Sequence, residues 1–384
     1  MWKYLGKRLV QMLITLLLFQ VLTYLLIDAQ PGDIADLLTQ NPDIPPGEVQ
    51  RLRAELGLDK PPLERMFAYV TNFYRGNLGV SFQRYPTLVM DIIKERLPRT
   101  LVLFVTANLI AFWAGFISGK VLAWRRGGFV EYGSTIAGVT LYTVFLPWFA
   151  LMMIWLFAVT LDWFPPGKFI DPLKWLDPGI PTTNEIFTRL IWTTLLAILV
   201  MFVGFSLSNR VARSQRMIVR TASVVLPMAG VIVYWVASGW GYLAWDIVSH
   251  LFLPVLTLTL YAYAGTMLLM RTTMLETLRE DYIMTARAKG LPDKAVRDKH
   301  AARNALLPVW TGLVFGIAAS VGGGIITETV FSWPGIGLAY LQAATSEDIP
   351  VAMGILTILG VLTLISQLIV DVGYAFLDPR IRYS

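Results

Sequence analysis

The residue types that do chemistry are scarce in this chain, and their spacing excludes most reactions. Its 384 residues include two histidines and no cysteine. Without cysteine there are no disulfides, thiolate metal sites or cysteine nucleophile. His250 and His300 fall on opposite faces of the membrane in the arrangement derived below, so they cannot form a metal pair within one chain. His250 reads as an interfacial residue at the outer end of a span, and His300 as a surface or docking residue in a basic loop. Residues Gly115 to Val121 imitate a phosphate-binding loop but have the wrong spacing and lie inside an apolar run. No Walker motif is therefore expected, and ATP is not expected to bind here. Two carboxylates interrupt apolar runs, and such groups normally face protein or water. Asp371 lies about five residues inside the last run, within reach of the interface or an arginine. Glu328 follows Gly322, Gly323 and Gly324, and suits an outer vestibule or a structural pairing equally. No acid, base and nucleophile converge, so the chain reads as non-catalytic, with no cofactor or metal of its own.

The most informative segment is Arg271 to Ala305. It begins with a run suited to a short helix, Asp281-Tyr282-Ile283-Met284-Thr285-Ala286-Arg287-Ala288-Lys289. Gly290 follows as a C-cap, because a residue without Cβ enters the left-handed region easily. Leu291 comes next, then a second short helix from Asp293 through Lys294 to Lys299, and Arg303-Asn304-Ala305-Leu306-Leu307-Pro308. Pro308 suits the first turn of the following span. A solvated basic loop has no need of this order of small residues, glycine and second helix.

These groups must be held by membrane-spanning helices. Hydrophobic residues make up 55% of the chain and charged ones 15%, against about a quarter charged in soluble domains. Mean hydropathy is +0.59 and the pI near 9.4. The basic residues lie between apolar runs, which excludes nucleic acid as their partner and fits a cytoplasmic face on anionic lipid. A bilayer core of roughly 30 Å needs about 20 helical residues. The runs near 9–27, 100–123, 135–160, 187–207, 218–236, 251–270, 306–330 and 351–376 predict eight spans in an all-α polytopic protein. The run Leu9–Ile27 is too long for a signal-peptide core and no A-x-A site follows, so an uncleaved first span is expected. With both termini cytoplasmic, twenty of the 32 Lys and Arg fall inside and three in short outer loops. The expected divisions are a first helix over 1–27, an extracytoplasmic cap over 28–99 and spans two and three over 100–160. A loop with two further spans follows over 161–250, then a core over 251–384 carrying the cytoplasmic segment 271–305. Within the cap, Glu48 to Leu58 has helical spacing. Ala111, Gly115 and Gly119 predict a close helix crossing, and Pro147 a kink.

The segment around Gly290 resembles the coupling motif of binding-protein-dependent ABC importer permeases, in the dipeptide/oligopeptide/nickel branch. The general motif has Glu-Ala-Ala where this chain has Met284, Thr285 and Ala286. The branch is similar in that departure, with a Thr-Ala-Arg-Ala-Lys-Gly core and an Arg-Asn-x-Leu-Leu-Pro close. Glu328 to Gly337, including Trp333-Pro334-Gly335, resembles the branch's outer loop, and Leu377 to Tyr383 its C-terminus. Pro31-Gly32-Asp33, Glu55 to Leu58 and Gly76 to Gly79 resemble its outer segment. The resemblance implies a multi-pass prokaryotic inner-membrane subunit with a second permease, two cytoplasmic ATPase subunits holding ATP and magnesium, and an extracytoplasmic binding protein. It implies ATPase coupling through Thr285, Ala286, Arg287, Ala288, Lys289, Gly290, Leu291 and Lys294. An outer vestibule at Glu328, Trp333 and Pro334 is the matching expectation outside.

The branch usually has six spans, so 187–207 and 218–236 read as an inserted pair, with Trp235, Trp240 and Trp245 as interfacial anchors near its outer end. Peptide is the default solute by resemblance, with oligosaccharide or a nickel complex as alternatives. A secondary transporter or channel is the rival class. It predicts inverted repeats or a charged pathway, and the sequence has neither.

Overall fold

A computed structural model describes residues 2–28, 45, 47, 49–51, 61–212 and 214–377. Of the expected helix over Glu48–Leu58 only residues 49–51 are among them, and they are helical, while the motifs at Pro31–Asp33 and Glu55–Leu58 and all but Leu377 of the C-terminal motif lie outside. The described residues form helices and loops, with only an isolated bridge between Val80 and Leu88 in extended pairing.

In chain order the helices are α1 (Trp2–Asp28), α2 (Pro62–Tyr74), α3 (Val89–Trp124), α4 (Phe129–Thr143) and α5 (Leu146–Ile154), the last continued by a π-helical stretch over Trp155–Thr160. Then come α6 (Thr183–Ser208), α7 (Arg216–Ala237), α8 (Gly241–Thr277), α9 (Asp281–Ala288) and α10 (Asp293–Ala295). A second π-helical stretch, Val296–Ala301, leads into α11 (Ala302–Gly323), followed by α12 (Ile325–Val330), α13 (Ile336–Thr345) and α14 (Ile349–Leu377). Among the described residues six helices are long and apolar enough to cross a membrane, and a seventh if α4 and α5 form one broken span.

Three expectations change. The span over 135–160 is broken, with α4 and α5 bent by 103°. Pro147 explains the site of the break, since its ring collides with the carbonyl four residues earlier. That carbonyl belongs to Thr143, where α4 ends. The second short helix does not stop at Lys299, because α10 runs through the π-helical stretch into α11. Pro308 therefore sits inside α11 rather than in its first turn, and withdraws the donor for the Asn304 carbonyl. The long helices also overrun their apolar runs. α3 starts at Val89 and α8 at Gly241, since a helix continues past the lipid core wherever its ends are packed or hydrated.

The chain divides into two compact units, one of residues 1–154 with 254–384 and the other of residues 155–253. In the first, small residues set the crossings. A Cβ on Gly115 would stand 2.8 Å from Thr266 Cβ, and one on Gly119 2.6 Å from the Met267 carbonyl, so α3 meets the backbone of α8 there as expected. A Cβ on Gly360 of α14 would stand 2.9 Å from the Phe19 ring of α1. The same pair carries an ion pair, with Arg8 Nε 3.1 Å from Asp371 Oδ2, which supplies the arginine partner expected for that carboxylate.

In the second unit α6 and α7 form a hairpin, touching where Gly204 faces Ser223. The Thr182 hydroxyl caps α6 by accepting from Glu185 N at 3.3 Å. Trp235 is not an interfacial anchor. It is buried against α6 and donates to Thr193 Oγ1 at 3.3 Å. His250 is likewise buried and hydrogen-bonded, its Nδ1 2.8 Å from the Asp246 carbonyl. The Asp246 carboxylate accepts from Lys174 Nζ at 2.8 Å, Asp171 N at 2.9 Å and Trp175 Nε1 at 3.0 Å, fastening the 171–175 loop to α8.

Candidate coupling site and outer face

The segment around Gly290 is an exposed knob on a buried base. Glu280 starts α9, which ends in a Schellman turn. Gly290 N donates to Arg287 O at 2.9 Å, Leu291 N reaches back to Ala286 O at 3.4 Å, and Gly290 has φ +73°. That is the glycine C-cap expected from the sequence. Pro292 then precedes α10. The period of α9 sends Ile283 and Ala286 inward, where they meet Met270 and Met274 of α8 and Val296, Ala301, Ala302 and Ala305. Burial of that face excludes water and holds the knob against α3, α8 and α11. On the other side Met284, Thr285, Ala288, Lys289, Gly290, Leu291 and Lys294 are exposed. Arg287 is exposed too, with its guanidinium carbon 5.5 Å from the centre of the Trp124 ring. The outcome is an apolar tip, Met284 and Leu291, with Arg287, Lys289 and Lys294 exposed beside it, and Glu280, Asp281 and Asp293 exposed as well. Of the eight residues expected to face the ATPase, Ala286 alone is buried, which makes it part of the base.

Charged groups the sequence reading passed over fasten this base. Lys120 Nζ of α3 lies 3.1 Å from Asp298 Oδ1, and Arg297 donates to the same carboxylate through Nε at 2.8 Å and Nη2 at 2.9 Å. The Arg297 bonds, with Lys120 adding to them, hold the Asp298 carboxyl well below the usual carboxylate range. Arg271 pairs with Glu131 through Nε at 2.8 Å and through its terminal nitrogen. The signal available was a charge of each sign at the ends of apolar runs, but which of them meet is not a local property.

At the other end of α3, Glu328 is fully buried. Thr100 Oγ1 donates to it at 2.6 Å and Leu338 N at 2.8 Å, and Thr100 Oγ1 in turn accepts from Ile336 N at 2.7 Å. Its carboxylate faces these protein donors. Trp333 is fully buried and donates to the Arg99 carbonyl at 3.2 Å, while Pro334 is half-buried. Gly335 and Gly337 are needed for this fold. A Cβ on Gly335 would collide with the Glu328 carboxylate and the Thr100 hydroxyl, and one on Gly337 would stand 2.8 Å from Ile325 N.

A second carboxylate joins residues 81–84 to residues 342–348. Asp348 accepts from Phe82 N at 3.0 Å, Gln83 N at 3.3 Å and Ser81 Oγ. Gln83 Nε2 donates to Ser346 O at 2.9 Å, and Arg84 to Gln342 Oε1 at 3.3 Å. Residues 81–84 and 342–348 thus form one surface.

Long apolar helices, close small-residue crossings and an exposed knob define a helical membrane protein. The family described as the binding-protein-dependent transport system inner membrane component matches residues 217–383, and the N-terminal part of such components matches residues 1–104. A putative peptide permease protein of Brucella suis is 32% identical over 387 residues, spanning the whole of both chains. The di/tripeptide transport system permease protein of Pseudomonas aeruginosa is 30% identical over 384 residues, and the dipeptide transport system permease protein of Escherichia coli 30% over 385, each spanning both chains completely. The chain belongs to the inner-membrane permease components of binding-protein-dependent ABC importers. Components of this family sit in the inner membrane and work with a binding protein and ATPase subunits. Of the expected inserted pair, α6 lies outside both matched segments, while α7 lies almost wholly inside the second.

Proposed function

We propose that this chain is one of two different permease subunits that import peptides by alternating access, driven by ATP and magnesium on two cytoplasmic ATPase subunits. The observation that carries this reading is the knob. Its buried base is continuous with three long helices, so a push on Met284, Leu291 and the cations beside them reaches the spans without a flexible joint. Thr285, Arg287 to Leu291 and Lys294 form the ATPase contact, and the joined surface at 81–84 and 342–348 receives the loaded binding protein. Eight spans place both termini in the cytoplasm, and residues 161–250 add a helix pair to a six-span core. Peptide as the solute rests on the names of the full-length relatives.

A reconstituted assembly of this chain with its companion permease, ATPases and binding protein tests the reading. Uptake of a labelled dipeptide or oligopeptide should require ATP and be competed by unlabelled peptide, not by oligosaccharide or nickel. Uptake without ATPase subunits would instead establish the secondary-transporter reading. In intact cells an impermeant thiol reagent should modify Ser238→Cys and miss Ser214→Cys. The reverse pattern would refute the eight-span arrangement.

A further inference from the structure

One helix touches both working faces. α3 has 36 residues, about 54 Å at 1.5 Å per residue, well beyond a hydrocarbon core of roughly 30 Å. Its outer end is bound into the 79–89 loop through Val89 N to Gly79 O at 3.1 Å, Ser81 N to Thr87 O at 2.9 Å and the Val80–Leu88 bridge. Asp348, next to the first residue of α14, clamps that loop by accepting from Ser81, Phe82 and Gln83, and it is 3% exposed. At its inner end α3 meets the base of the knob, where Ala123 and Phe112 pack with Val296, Ala301 and Ala302. The directed bond at that junction is Lys120 to Asp298, with side chains 17% and 29% exposed. Gly115 and Gly119 fix α3 sideways against α8, because no side chain separates the two backbones there. A displacement of the knob is therefore passed to α3, since packed interiors shift between discrete arrangements rather than deforming smoothly.

We propose that Lys120 is a positioning residue of the transport cycle, tying the cytoplasmic knob to α3 through Asp298 so that the outer surface and the knob share one two-state equilibrium. The inference rests on the proposed function, because it takes the knob as the ATPase contact and the 81–84/342–348 surface as the receiving face. Coupling between two sites is reciprocal. A loaded binding protein that favours one position of α3 must then favour one position of the knob, and the Lys120–Asp298 bond sets how much of the bias passes. The lysine stem adds packing, with Nζ 5.3 Å from the centre of the Phe116 ring, and a methionine at 120 would keep that apolar contact while removing the charge.

The test uses the complete assembly in lipid nanodiscs, reading ATPase retention, basal hydrolysis, its stimulation by peptide-loaded binding protein, and peptide uptake. Lys120→Met and, separately, Asp298→Asn should retain the ATPase subunits, and Lys120→Met should keep basal hydrolysis. Each should lose stimulation and uptake by about tenfold, toward the lower part of the 5–150-fold range typical of coupled sites. The exchanged pair Lys120→Asp with Asp298→Lys should recover at least half of the lost stimulation. Wild-type stimulation in both single variants overturns the proposal. Loss of ATPase retention in the single variants assigns the pair to assembly and also overturns it, as does failure of the exchanged pair to recover. If the wild-type assembly itself shows no stimulation, the proposed function falls and this inference with it.

Discussion

α3 and the α6–α7 hairpin are comparably apolar, yet they stand in opposite surroundings. None of the apolar window of α6 or α7 is buried, against 39% of that of α3. Lipid tails are as apolar as leucine, so hydrophobicity alone cannot say whether a membrane helix faces protein or lipid. The difference is carried by other residues. α3 has Ala111, Gly115 and Gly119 at the crossing, Thr100 serving Glu328 and Lys120 serving Asp298. The hairpin has one close approach, Gly204 on Ser223, and presents Leu195, Leu199, Phe202 and Val233 outward. Small and polar residues therefore accompany the helix that is packed among others, and outward leucine and valine the hairpin that is not.

The comparison breaks first at the base of the knob. Ala286→Glu would force a carboxylate between Met270, Met274 and Val296, where an unpaired charge costs about 3 kcal/mol or more. Peptide uptake by the reconstituted assembly should fall on the order of a hundredfold, at about 1.4 kcal/mol per decade. The subunit should still insert. Uptake near wild type would mean that this face is not a packed base.

Asp348→Ala strands three donors, Ser81 Oγ and the amides of Phe82 and Gln83, two of them within the buried residues. With hydrogen bonds to a charged group at roughly 1.5–3 kcal/mol each, a net loss of about 3 kcal/mol follows once water reaches part of the site. A lowered unfolding midpoint in detergent, with faster proteolysis in the 76–88 loop, is the expected result. An unchanged midpoint would show that the outer clamp carries no load.

Gly290→Val separates strain from crowding. A Cβ there meets nothing within 4 Å, but φ is +73°, which costs a β-branched residue about 1–2 kcal/mol. Uptake and stimulated hydrolysis should drop around tenfold, whereas Gly290→Asn, which tolerates the left-handed region, should stay near wild type. Equal losses in both variants would point to contact at the tip rather than to the turn.

The smallest effect is expected in the hairpin. Leu199→Ala and Val233→Ala lie on outward faces, and stability should move by no more than about 0.5 kcal/mol. Gly204→Val, by contrast, would drive a side chain into Ser223 and should lower the unfolding midpoint of the subunit. A large loss from either outward substitution would show that another protein covers the hairpin.

The amino-acid sequence by itself determined the class of protein, the approximate positions of the long helices and the turn at Gly290. Each of these is local: twenty apolar residues, a charge bias between neighbouring loops, a glycine after a helical run. It also marked the crossing at Gly115 and Gly119, because close approach needs small residues whatever the partner. Only the tertiary structure decided who the partners are. Arg8 and Asp371 stand 363 residues apart in sequence. Lys120 finds Asp298, Glu131 finds Arg271, and Asp348 clamps Ser81 to Gln83. Trp235 turned inward, where sequence position had suggested an interfacial anchor, and Glu328 took the structural pairing, one of the two readings its position left open. The break after Thr143 likewise exceeded a kink. Periodicity and composition report what a segment does with its own neighbours along the chain. Which buried charge meets which, and whether an apolar helix faces protein or lipid, depends on distances that exist only once the helices are packed.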